Sequence, residues 1–174
     1  RLTGVLDNQG RACILNSMKI TDIEVFTVFM GRANYTFLRV QTDSGISGVG
    51  EATLEHRELA LEGAVRDIRN WLIGKDPFAI ERIWYECYRD AYWLGGPAIM
   101  SALSGLDQAL WDIKGKALGV PVYELLGGKF RDSIPAYATA WHGGAKTPSD
   151  FAARAHAAVK TGFIMGNDTV AEHV

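Results

Sequence analysis

The sequence predicts an α+β domain in which three antiparallel strands precede a helical bundle, followed by the opening strand and helix of a second unit. Three observations carry this reading. Residues 20–52 alternate with the period of a strand, residues 57–118 repeat with that of a helix, and residues 134–162 read strand, loop, helix. A chain of 174 residues is long enough for one domain with a proper core and part of another.

Composition removes several function classes. Hydrophobic residues make up 48% and charged ones 22%, ordinary values for a soluble globular protein. A formal net charge of -2 leaves no electrostatic footprint for nucleic acid or an anionic membrane. No apolar run approaches the roughly 18 residues of a membrane span, and the N-terminus has no signal-peptide core. Cys13 and Cys87 fit no metal or redox spacing. Two isolated cysteines suit a reducing compartment, so a cytoplasmic location is expected.

Residues 1–17 show neither period and read as an N-terminal arm without assigned function; Met18 looks like a natural start. Ile20, Ile23, Val25, Phe26 and Val28 make a first strand, and Tyr35 to Thr42 alternates cleanly as a second. Gly31 to Asn34 connects them, and Asp43-Ser44-Gly45 is turn chemistry leading into a glycine-thinned third strand, Gly48 to Ala52. The glycines at 45, 48 and 50 do not form a phosphate loop: no Lys-Ser/Thr follows, and they run into a strand rather than a helix N-terminus.

Leu61, Val65, Ile68 and Leu72 mark a helix over Arg57 to Ile73, with Glu62 and Arg66 paired on its outer side and Gly74 as its stop. Asp76-Pro77 opens the next, whose face carries Ile80, Ile83, Trp84, Cys87 and Tyr88. Helical spacing assigns Trp84 and Tyr88 to the core, while Tyr92 and Trp93 fall in a loop.

The stretch from Pro97 to Gly128 is the most informative. Ile99, Leu103, Leu106, Leu110, Ile113 and Ala117 form one apolar stripe; Ala98, Ala102, Gly105 and Ala109 form a stripe of small residues beside it. Gly105 and Gly115 each cost about 1 kcal/mol of helix propensity, so the helix backbone should be pressed against a neighbour. Asp112 and Lys116 can pair at i,i+4. Gly119 supplies the stop and Pro121 can open the next short helix at its first position. Asp107 and Asp112 tempt one toward paired acid–base work, but their spacing sets them about 140° apart on the helix, so they cannot converge on one atom.

The run Ala102-x-Ser104-Gly105-Leu106-Asp107-x-Ala109-Leu110-x-Asp112-Ile113-x-Gly115-Lys116, with Pro121-Val122 and Leu125-Leu126-Gly127, resembles a signature of the mandelate racemase/muconate lactonizing enzyme group of the enolase superfamily. The resemblance implies that residues 18–133 form the enolase-like N-terminal capping domain and that residues 134–174 begin a truncated (β/α) barrel. A complete barrel takes about 200–250 residues, more than follow Ser133. The resemblance further implies that one face of the signature helix meets the barrel in relatives and would be exposed here, favouring association.

The family abstracts a proton α to a carboxylate, using a Lys or His base and a divalent cation, normally Mg²⁺. The resemblance places the base on barrel strand two and the metal ligands on strands three to five. After Gly162 no Lys appears where strand two should begin, so no residue is carried over as base or ligand. What is carried over is a lid of two loops, Phe29–Tyr35 and Thr53–Arg57, with Arg32, Tyr35, His56 and Arg57 as substrate-facing candidates. Glu51 beside the second loop reads as structural. His142 stands at the carboxyl end of the first barrel strand, where such barrels place their pockets.

Met18-Lys19-Ile20, Gly48-Val49-Gly50-Glu51, the Leu94 to Ala102 run and Leu126-Gly127-Gly128-Lys129 are most similar to acid-sugar dehydratases of the galactonate dehydratase type. This implies a hydro-lyase, Mg²⁺, a sugar-acid substrate, a homo-oligomer, and neither nucleic-acid nor membrane partners. Two readings stay open. The chain is the N-terminal part of such an enzyme (or of a racemase or cycloisomerase of the same group), inactive alone; or it is a non-catalytic orphan capping domain that binds a full-length relative.

Overall fold

The computed structural model describes residues 18–89 and 92–165; the arm at 1–17, with Cys13, and the tail from Gly166 onward lie outside the described residues. The chain divides into two compact units, the first ending at Gly128 and the second beginning at Lys129.

The first unit opens with a three-stranded antiparallel meander: β1 (Ile20–Phe29), β2 (Asn34–Thr42) and β3 (Ser47–Glu51), in that spatial order. Thr36, Leu38, Val40 and Thr42 turn one face of β2 toward the core, and Tyr35, Phe37, Arg39 and Gln41 turn the other outward. Four helices follow: α1 (Glu58–Leu72), α2 (Ile80–Arg89), α3 (Pro97–Leu118) and α4 (Val122–Leu125). This is the expected capping-domain architecture.

α3 is the centre of the core. Leu103, Leu106, Leu110 and Ile113 are all buried against the sheet and the other helices, each stabilising by about 1.5–3 kcal/mol on burial. The apolar stripe is thus covered within the unit, as a core stripe should be. Exposed large apolar groups include Tyr92, Trp93 and Leu94 in the loop before α3, Phe29 and Met30 after β1, and Leu118, Tyr123 and Leu126 toward the end of the 97–128 stretch.

The stripe of small residues receives β3. A Cβ at Gly48 would overlap the carbonyl oxygen of Ala109, and one at Gly50 would overlap that of Gly105. Gly105 in turn leaves room for Ala52, whose methyl would lie 2.6 Å from an added Cβ. Gly48 and Gly50 thus serve this close approach of strand to helix. Gly115 does the same for the turn after α3, where a Cβ would come within 2.8 Å of the Val120 carbonyl oxygen.

The polar side of α3 then occupies the free edge of β3. Gln108 accepts from the Glu51 N–H (3.0 Å) and donates to the Glu51 carbonyl (3.1 Å). Asp112 accepts from the Val49 N–H (2.9 Å), and Lys116 donates to the Ser47 carbonyl (2.8 Å) while pairing with Asp112 (2.7 Å). Asp112 is therefore a structural residue. Asp107 sits apart from it, half-buried, with Glu81 of α2 as its charged neighbour.

Three local expectations are corrected. α2 begins at Ile80, because Asp76 accepts from the Phe78 N–H (2.8 Å) and its carbonyl from the Ala79 N–H (3.2 Å), making Asp76–Ala79 a turn. Trp84 is 36% exposed and stacks on Tyr88 at 5.1 Å. Ile83 and Cys87 take the core-facing positions, and one residue's rotation of about 100° carries Trp84 to the rim. Pro121 is the N-cap of α4 rather than its first helical residue.

The second unit contains β4 (Tyr137–Ala138), α5 (Pro148–Lys160) and β5 (Ile164–Met165), with β4 and β5 paired in parallel. This is a βαβ step, the repeating element of a (β/α) barrel. The expected strand over 134–140 shrinks to two residues. Pro135 cannot donate to a ladder, and Ala140 leaves the strand with φ at 55°. α5 starts with a full capping box, Thr147 and Asp150 each accepting from the other's backbone N–H.

Candidate functional site

The antiparallel order of the meander brings two loops to one end of the sheet. β1 ends at Phe29 and β2 starts at Asn34, while β3 runs antiparallel to β2 and ends at Glu51 opposite Phe37. The loop after β1 (30–33) and the loop after β3 (52–57) are therefore neighbours, and the 43–46 turn lies at the other end.

Arg32 reaches from the first loop to the second, its Nη2 3.0 Å from Glu55 Oε1. Asn34 Nδ2 donates to Glu58 Oε1 at 3.1 Å. Beneath these, the Ala52 N–H donates to the Thr36 carbonyl (2.8 Å) and the Thr36 N–H to Thr53 Oγ1 (3.1 Å). Hydrogen bonds from its own N–H, from the Asn34 amide and from the His56 N–H hold the Glu58 carboxyl below the usual range.

His56 has φ at 62° in the turn closed by the Arg57 N–H on the Leu54 carbonyl (3.1 Å). A histidine there is strained where glycine would not be. Arg57 Nη1 donates to the His56 carbonyl at 2.8 Å. Arg57 also lines a groove of about 370 Å³ between Leu54 and Ala60 on one side and Gly96, Pro97 and Ile99 on the other. Tyr35 stands apart from these three: it lies half-buried on the outer face of the sheet, opposite Val28.

Of the four candidates, Arg32, His56 and Arg57 are thus gathered in the paired loops. Sequence reasoning missed Glu55, Glu58 and the Gly95-Gly96-Pro97 wall. An acidic residue in the first turn of a helix was a usable signal for Glu58; nothing marks Glu55.

In the second unit, Trp141, His142 and Phe151 form an aromatic cluster, with His142 stacked on Phe151 at 6.2 Å and edge-on to Trp141 at 5.6 Å. The indole Nε1 of Trp141 is buried without an acceptor. Among the described residues, no three His, Cys, Asp or Glu side chains are grouped so as to hold a metal ion. Likewise, among those residues no helix is long and apolar enough to cross a membrane.

The sequence profile of the mandelate racemase / muconate lactonizing enzyme N-terminal domain matches residues 14–127. The chain belongs to that family. Within the mandelate racemase / muconate lactonizing enzyme family, it is 49% identical to the D-galactonate dehydratase of Pectobacterium atrosepticum over 146 residues, 84% of this chain and 37% of that protein. It is 50% identical to the D-galactonate dehydratase of Variovorax paradoxus over 133 residues, 76% of this chain and 33% of that one. Among solved structures it resembles an enolase-superfamily member from Salmonella Typhimurium (36% identity, TM-score 0.76, 84% of this chain and 41% of that chain). It also resembles an enolase from Pantoea ananatis with bound D-gluconate and Mg (37% identity, TM-score 0.73, 84% of this chain and 35% of that chain). The chain thus spans about a third of the length of the curated relatives it matches.

Proposed function

We propose that the chain is the capping part of a cytoplasmic, homo-oligomeric acid-sugar dehydratase of the galactonate dehydratase type. Such an enzyme removes the proton at C2 and hydroxide from C3 of a sugar acid, giving a 2-keto-3-deoxy acid and water. The observation carrying this reading is the 49% identity to a D-galactonate dehydratase across 84% of the chain. The paired loops supply what a cap contributes: they cover a small polyhydroxy acid and exclude water. Arg57 and Arg32 offer guanidinium groups suited to its carboxylate.

Magnesium comes with this reading through the relatives, one of which holds Mg and D-gluconate. It would stabilise the negative charge that develops on the carboxylate when bound. The described residues form no ligand set for it, so the cation and the base would belong to residues outside this set. By itself the 174-residue chain is expected to turn over no sugar acid.

The test is a chimera in which residues 18–128 replace the matching segment of the Pectobacterium atrosepticum D-galactonate dehydratase. Dehydration of D-galactonate, with KM raised at least tenfold by Arg57→Ala, supports the reading. A folded chimera that binds Mg²⁺ but gains nothing from Arg57 overturns the role of the loops. Mg²⁺-dependent dehydration of any sugar acid by the unmodified chain would refute its expected inactivity.

A further inference from the structure

We propose that the two loops are latched into a single lid by two carboxylates, Glu55 and Glu58, which cross from the second loop and the start of α1 to Arg32 in the first loop and Asn34 at the start of β2. The observation is geometric. The only covalent path from Arg32 to Glu55 runs through β2 and β3, yet their side chains meet at 3.0 Å, and Asn34 meets Glu58 at 3.1 Å. Two links, two positions apart on one side and three on the other, restrain rotation as well as separation, which a lone contact would not.

The arrangement assigns unequal parts to the candidate residues. Arg32 is 82% exposed and Glu55 43%, so their pair is screened by water and salt and easily opened. Asn34 and Glu58 are half-buried, with the Glu58 carboxylate at the first turn of α1, where helix-end N–H groups favour it. The inner link is therefore the hinge pin and the outer link the catch. Glu55 is a positioning residue that acts through Arg32. This deepens the lid reading given above, but the coupling is a property of the loops themselves and is measurable without turnover.

Hydrogen exchange on the whole chain tests it. Met30 N–H closes the first loop on the Ala33 carbonyl (3.0 Å) and Arg57 N–H closes the second on Leu54 (3.1 Å), so each amide reports its own loop. Glu55→Ala is expected to speed exchange at Met30, in the other loop, about two- to fivefold. Arg32→Ala should do the same at Arg57, and 1 M NaCl should reproduce both effects in the parent chain. The charge-swapped pair Arg32→Glu with Glu55→Arg should restore protection that either swap alone removes. Amides of Leu38 and Val40 in central β2 serve as the control for folding. Effects confined to the substituted loop, or a swap that restores nothing, overturn the latch while leaving the dehydratase reading to the chimera.

Discussion

Gly50 of β3 lies directly on the carbonyl of Gly105 in α3, so close that Gly50 has no room for a side chain, while Ala52 and Leu38 fill the space a side chain at Gly105 would need. Gly48 repeats the contact one turn further along, on Ala109. Two glycines at i,i+2 thus fit two small residues at i,i+4, because a strand and a helix each return to one face at those spacings.

Gly50→Ala and Gly48→Ala should therefore each destabilise the first unit by about 3 kcal/mol, since the clash is with backbone that cannot rotate away. Gly45→Ala, at the turn with φ at 81° and open space around it, should cost only about 1 kcal/mol. Urea midpoints followed by tryptophan fluorescence would rank the three. A Gly50→Ala chain as stable as its parent would mean that strand and helix are not in contact.

His56→Gly is expected to stabilise the chain by about 1 kcal/mol, because glycine adopts a φ of 62° without the Cβ penalty. In the chimera described above, the same substitution should lower activity if the imidazole faces substrate. Higher stability with unchanged KM and kcat would assign the strain to the turn alone.

Glu86 and Asp107 should show opposite pH trends. Lys75, then Arg82, hold the Glu86 carboxyl below its usual range. Its stabilising effect is thus full above the unfolded value of about 4.3 and is lost as pH falls through the folded one. Burial, then Glu81, pushes Asp107 up. Its contribution is greatest below the unfolded value and is lost as pH rises through the folded one. Glu86→Gln should therefore destabilise at pH 7 and become neutral in acid. Asp107→Asn should stabilise at pH 7, with that gain fading toward pH 3. Denaturant midpoints across pH 3–7 give both curves; parallel curves would contradict the assignment.

Asp112→Ala should cost about 1–2 kcal/mol, because it strips the Val49 N–H of its acceptor and Lys116 of its partner. Lys116→Ala should cost less, and the double variant should cost less than the sum. Strict additivity in thermal melts would show that the three groups do not act together.

These contacts mark where sequence reasoning reaches and where it stops. The α3 stripes and the Asp112–Lys116 pair were legible, because both follow from positions on one helix. The need of Gly105 for a close neighbour was legible too, but not that the neighbour is β3. The edge contacts of Gln108 and Asp112 join residues 57 and 63 positions apart, and no local pattern encodes such a pairing. Trp84 was misplaced because aromatic character at helical spacing does not distinguish the centre of a face from its rim. The strained turn at His56 had no signal, since Leu-Glu-His-Arg lacks the glycine or asparagine that announces a positive φ. Among the residues of the paired loops, Arg32 and Arg57 could be named from the resemblance, whereas Glu55 emerged only once the two loops were seen to meet.

The occupied edge of β3 has one more consequence. An open strand edge offers unpaired N–H and C=O groups to any passing chain, the usual starting point for sheet-to-sheet aggregation. Here Gln108, Asp112 and Lys116 engage those groups from Ser47 to Glu51, so α3 stands where an intruding strand would have to lie. The opposite edge of the sheet belongs to β1, which is met at Ile20 by Gly74 and Lys75. Strand recruitment by a destabilised molecule is thereby directed to β1 rather than β3, and loss of the α3 side chains would open a second growing end.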